Sequence, residues 1–279
     1  MIKIAHESPK SIFSTVQKFT DYDYALVHLF EEDKEYLQHF KDAVANGREV
    51  ILDNSIFELE EAFDADRFAY WIKELKPTWY IVPDALEQCF KTCDQMDQFF
   101  KKYPKETLPG KAIGVVQGKT YESIASCYDY MDKVAPVDMI AISFDYSYYQ
   151  VSCPHPNKYV SWMLGRAKLL GDLESKGVIN KDKPHHLLGC GVPQEFMLYR
   201  EANYDWLYSL DTSNPVVHGI KGISYSDQGL WDKESQKLFE MINQEVDDIQ
   251  ISTIKNNIQK FRWFTNGKRE VQNRRYCKV

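Results

Sequence analysis

Five polar side chains stand at the ends of otherwise apolar runs: Asp53 after VIL, Asp84 after YIVP, Gln117 after GVV, Asp145 after AISF and Asp211 after LYSL. A lone aspartate in such a place most often caps the helix that follows, by accepting its first free N–H groups. Four aspartates and a glutamine, all at the same kind of junction, point instead to a shared pocket. Crowding carboxylates raises the pKa of some of them, so one can hold a proton while another stays an anion. That combination suits displacement at a sugar anomeric carbon, where one carboxylate attacks and another manages the leaving group's proton.

These residues converge only if the elements carrying them are parallel. Short apolar, β-branched or aromatic runs alternate with amphipathic stretches, the pattern of a parallel sheet with crossover helices. Strands are read at 24–30, 49–57, 79–84, 112–117, 138–145, 185–191, 206–211 and, more weakly, 219–225. Helices are read at 64–75, 88–103, 121–134, 159–176 and 194–202. Strand starts fall roughly 30 residues apart, the length of a βα unit. Eight such units predict a (β/α)₈ TIM barrel over 1–254 as a single domain, with a basic, aromatic C-terminal segment over 255–279. In that fold the C-terminal strand ends share one rim, and the rim carries the active site. The connection 146–157 (YSYYQVSCPHPN) is long for such a unit; its Tyr146, Tyr148 and Tyr149 could stack on a base or simply cover the barrel mouth.

Composition narrows the classes. The chain has 279 residues, 44% of them hydrophobic, enough for a sizeable core, and no run of 18 apolar residues that would span a membrane. Its six cysteines are scattered rather than dense, which fits a reducing cytoplasm. Cys89 and Cys93, four apart on a predicted helix, could hold a metal with a histidine from elsewhere, but buried thiols are the commoner reading. Cys153 with His155, and the His185–His186 pair, lack a recognised ligand spacing, so neither a metal nor a cofactor is expected. The GVVQGKT stretch has three residues between its glycines where a phosphate loop has four.

The net charge of −7 argues against nonspecific nucleic-acid binding by the whole surface. The last 25 residues nevertheless hold eight basic side chains against Glu270, which leaves the first 254 at −14. Lys268, Arg269, Arg274 and Arg275 could grip a phosphate backbone while Phe261, Trp263, Phe264 and Tyr276 stack on bases. The bland alternative is a solvated terminal helix and tail.

Four short segments, in order, resemble the signatures of the tRNA-guanine transglycosylases and their phage and bacterial DNA-modifying relatives: LDNSIFE around Asp53, GVVQG around Gln117, LLGCGVP with Gly189 and Gly191, and LDTSNP around Asp211. That family shows D-S-G-G-F-Q, V-Q-G, M-G-V-G-x-P and D-C-x-x-P-T-R. The resemblance spans roughly residues 51 to 215. It implies replacement of guanine in a polynucleotide by a 7-deazaguanine, with Asp211 as nucleophile and Asp53 as general acid/base. It further implies that Asp84 and Gln117 read the base edge, with Gly118, Asp145 and Gly191 completing the base pocket. The sequence departs from the family at Ser55 and Ile56, where two glycines are usual, and at Val216 and Val217, where Thr-Arg is usual. The family's C-terminal zinc motif has no counterpart, since only Cys277 follows Cys190. With no recognisable RNA-binding addition, DNA is the favoured substrate and tRNA the alternative. The expected setting is the cytoplasm, the host's for a phage protein, with no membrane partner and room for a homodimer. A nucleoside or glycoside hydrolase using the same carboxylates, and a non-catalytic nucleic-acid-binding barrel, are the competing classes.

Overall fold

The computed structural model describes residues 1–267 except 62 and 235. Among these, eight parallel strands form one sheet: β1 (Lys3–His6), β2 (Asp23–Leu26), β3 (Val50–Asp53), β4 (Trp79–Ile81), β5 (Lys111–Val116), β6 (Met139–Ser143), β7 (His185–Leu188) and β8 (Leu207–Thr212). From β2 to β8 each strand pairs with its sequence neighbour, and β8 returns to pair with β1, with Ala5 opposite Asp211. The result is a nearly closed (β/α)₈ barrel. The seam between β1 and β2 has no strand ladder. The Asp21 N–H donates to the Ile4 carbonyl (2.9 Å), the Ile4 N–H to the Asp21 carboxylate (2.9 Å), and the His6 N–H to Thr20 Oγ1 (2.8 Å).

Crossover helices cover the outside: α1 (Lys34–Ala45), α2 (Ala65–Leu75), α3 (Cys89–Lys102), α4 (Tyr121–Lys133), α5 (Lys158–Ser175), α6 (Glu195–Glu201), α7 (Asn214–Ile220) and α8 (Asp248–Asn266). Their starts follow from local chemistry. Asp64 accepts from the N–H groups of Asp66 and Arg67 to open α2, whose Phe68, Ala69, Ile72 and Leu75 form the buried stripe. Pro215 stands in the first turn of α7, where its missing N–H costs nothing.

The eighth strand is a correction. It lies at Lys3–His6, not at 219–225, where the chain finishes α7 and turns. Residues 255–266 continue α8, which packs on α7 and α6 and buries Ile254, Ile258, Phe261 and Phe264. Phe261 and Phe264 belong to the core and cannot stack on nucleic-acid bases. Arg262 donates to the Phe19 carbonyl (2.9 Å) and pairs with Asp21 (2.7 Å), tying α8 to the β1–β2 seam. Connection 146–157 carries a short helix, Ser147–Ser152, and buries two of its tyrosines: Tyr146 donates to the Val116 carbonyl and Tyr149 to that of Ser143 (2.9 Å). Both are buried with their hydroxyls on β5 and β6, which they brace. No described helix is long and apolar enough to cross a membrane.

The end of the barrel where the strands begin is closed by a polar plug. Glu49, just before β3, accepts from Lys3 Nζ (2.5 Å), Trp79 Nε1 (2.9 Å) and the Tyr208 hydroxyl (3.0 Å). Lys3, Trp79 and Tyr208 sit at or near the starts of β1, β4 and β8.

Candidate active site

The opposite end opens into a cavity of about 440 Å³, within the roughly 300–1,000 Å³ usual for small-ligand pockets. Asp53, Asp84, Gln117, Asp145, Gly189 and Asp211 all line it. Parallel strands in matched register deliver these positions to one rim, and the alternation of side chains along a strand turns them inward.

Asp211 lies near the end of β8, two residues after Ser209, so both project to the same face. His186 of β7 bridges them: its Nε2 lies 3.0 Å from Asp211 Oδ1 and its Nδ1 2.8 Å from Ser209 Oγ. A carboxylate only accepts, so Nε2 carries a hydrogen and donates it to Asp211. The Gly189 N–H also donates to Asp211 Oδ1 (3.3 Å). Two donors on one oxygen leave Oδ2 available to a substrate. Tyr24 lies nearly parallel to His186, with centroids 6.1 Å apart, and fixes the ring plane.

Gly189 makes this arrangement possible. Its φ is +63°, and a Cβ there would sit 2.5 Å from Phe144 Cδ1. Gly189→Ala should therefore cost about 1–3 kcal/mol in stability and withdraw the N–H from Asp211. Gly191→Ala, whose added Cβ would find only the Tyr159 carbonyl at 3.7 Å, should be tolerated. Melting curves of the two variants check the contrast; equal stability would mean that Phe144 simply moves aside.

Asp53 ends β3 and accepts from the Tyr24 hydroxyl and the Ser55 N–H. Burial, opposed by those two hydrogen bonds and reinforced by Asp211 and Asp84, raises its pKa to about 7. A group titrating there can give and take a proton at neutral pH. Ser55 has φ +62°, a left-handed conformation that a glycine would adopt without strain.

Asp84 and Gln117 form one wall. Gln117 Nε2 donates to Asp84 Oδ2 (2.7 Å), Asn54 Nδ2 to Asp84 Oδ1 (2.8 Å), and the Glu87 N–H to Gln117 Oε1 (2.7 Å). Burial raises Asp84 to about 6 despite these donors. The wall is thus preset, with unused lone pairs on the carboxylate for a ligand's donors. Asp145 accepts from Ser143 Oγ (2.8 Å).

Two further expected pocket residues stand elsewhere. Gly118 does not line the cavity; its position packs on α4, where a Cβ would lie 2.5 Å from Ser123 Oγ. Gly191 is also outside the lining, and its carbonyl accepts from Asn214 Nδ2 (3.2 Å). Lys268, Arg269, Arg274 and Arg275 lie outside the described residues.

Other lining residues are ionisable groups that sequence reasoning did not single out. Glu7 follows β1, its N–H bonded to the Thr212 carbonyl, and burial beside Asp211, Glu58 and Asp53 pushes its pKa well up. Glu58 rises to about 7, chiefly through burial. Lys233 enters from the loop after α7, lies 3.9 Å from the Phe144 ring centroid, and has its pKa lowered by burial. Phe57, Leu86, Phe144 and Trp162 supply apolar surface, with Phe57 and Trp162 flanking Phe144 at 6.1 and 5.5 Å between centroids. The cavity thus combines apolar ring surface, a hydrogen-bonded carboxylate–amide wall and further carboxylates in one lining. No protein-family model matches the chain, and no curated protein matches it.

Proposed function

We propose that the protein is a base-exchange transglycosylase, which replaces guanine in a polynucleotide by a 7-deazaguanine through a covalent glycosyl-aspartate. The observation that carries this reading is the pairing of Asp211, oriented by His186 and Gly189, with Asp53, poised near pKa 7, in one cavity. Asp211 attacks the anomeric carbon as the bond to guanine breaks, and Asp53 delivers the proton that the departing base needs. The new base then attacks that carbon, loses a proton to Asp53 and releases Asp211, giving net retention. Asp84 accepts from the donors on the guanine edge while Gln117 offers one donor and one acceptor. Extrusion of the nucleotide into so enclosed a site fits a base stacked on Phe144 and its neighbours. The left-handed Ser55 adds support, because it stands where the transglycosylase signature has glycine.

DNA is the first substrate to test, and tRNA the second. Guanine-labelled DNA or tRNA incubated with and without a 7-deazaguanine should release label only when the base is supplied. Release without it would instead indicate a hydrolase using the same carboxylates. The basic segment 268–279 is proposed to hold the phosphate backbone. Its removal should weaken binding and flatten the salt dependence by roughly one unit of log–log slope per lost phosphate contact. Unchanged affinity and slope in a filter-binding assay would show it to be a solvated terminus.

A further inference from the structure

Outside the cavity, between α3 and α4, three sulfurs meet. Cys89, Cys93 and Cys127 place their Sγ atoms all within 4.8 Å of one another. Cys89 and Cys93 are one turn apart on α3 and so share a face, while Cys127 reaches across from α4. We infer that these three cysteines bind a zinc-class divalent cation, which clamps α3 to α4 directly behind the strand end that carries Gln117.

Several features favour a metal over plain thiol packing. Tetrahedral zinc with bonds of about 2.3 Å requires sulfurs about 3.8 Å apart, so closing the site takes a shift on the order of 1 Å. Cys127 Sγ already accepts the Gln117 backbone N–H (3.3 Å), a contact that stabilises a ligating thiolate. Cys89 is the first residue of α3, a helix of 14 residues, where the positive end of the dipole favours a thiolate. Cys89 and Cys127 are buried and Cys93 is half-buried, which gives an ion a route in and leaves the fourth position open to water. A disulfide serves the trio poorly. Residues four apart on a helix hold their Cβ atoms about 5–6 Å apart, against roughly 3.5–4.5 Å in a disulfide. A bridge from either to Cys127 strands the third thiol. Soft thiolates select zinc among the common divalent ions. On this inference the third ligand is a cysteine, not the histidine that the pair alone suggested, and the site departs from the expectation of no metal.

The test uses the full chain, purified under reducing conditions, with zinc and cobalt(II) as probes. Elemental analysis should find one zinc per chain, and cobalt should give the visible bands of a tetrahedral ion with thiolate charge-transfer absorption. Cys93→Ser, at the half-buried position, should weaken zinc by more than the roughly 10–100-fold typical of losing an outer-shell partner. Cys153→Ser should leave it unchanged. Chelation should lower the Tm of the parent and of Cys153→Ser, but not that of Cys93→Ser. Absence of thiolate–cobalt absorption, unaltered binding in Cys93→Ser, or a disulfide to Cys127 in the freshly isolated protein would overturn the assignment. Cys127→Ala is the stronger lesion; should it fail to fold, Cys93→Ser decides alone.

Discussion

Replacing Asp211 by asparagine should lower base exchange by roughly 10⁴–10⁶-fold, the range seen when the nucleophile of a covalent mechanism is removed. The amide keeps the size of the side chain, and its oxygen can still accept from His186 and Gly189, which now both bond Oδ1. What it lacks is the anion that, in the proposed mechanism, attacks the anomeric carbon. Polynucleotide binding should therefore persist while turnover disappears. Denaturing electrophoresis of the parent protein on labelled polynucleotide should show a covalent species, and digestion should map it to Asp211. Full exchange by the Asp211→Asn variant, or an adduct on Asp53, would reverse the two roles.

Asp53→Asn should slow exchange by roughly 10²–10⁴-fold, the usual worth of a placed proton donor and acceptor. Its pH signature is more telling. In the proposed mechanism guanine leaves only with a proton, so adduct formation in the parent should decline as pH rises through about 7, the value to which burial brings Asp53. Capture of the new base needs the anion, so that half-reaction should decline below the same pH. Single-turnover rates measured for each half should show opposite limbs, and both should vanish in Asp53→Asn. Limbs that survive the substitution would point to Glu58, which also titrates at about 7. Stability should move the other way. The folded pKa lies above the ordinary value of 3.8, so the native state holds a proton that the unfolded chain has released between about pH 4 and 7. Stability is then lost as pH rises across that window. At pH 8 the asparagine variant should melt higher, by about 2–4 °C for each kcal/mol recovered.

Much of this frame was legible because its signals are local. VIL before Asp53 and AISF before Asp145 are buried strands whose polar ends need no tertiary knowledge to notice. The KIAH strand was not, because only Ile4 and Ala5 are apolar in it and its seam to β2 relies on Asp21 and Thr20 side chains. Closure demanded an eighth strand, and GISY after Gly219 supplied a false one; the Pro215 helix start just before it was the contrary signal. The site's supporting residues were harder still. His186 earns its place only through Ser209 and Asp211 on the next strand, and Glu7 only because β1 sits beside β8. The tail misled for a related reason: Phe261 and Phe264 follow basic residues in sequence, but α8 turns them into the core.

The plug of Lys3, Glu49, Trp79 and Tyr208 makes the chamber a blind well. Under base exchange, whatever enters must leave by the rim it came through. The departing guanine and the arriving base therefore compete for one berth, and the glycosyl-enzyme must wait, vacant, between them. Free guanine should consequently inhibit in competition with the incoming base, and the polynucleotide should stay threaded at the rim throughout the exchange.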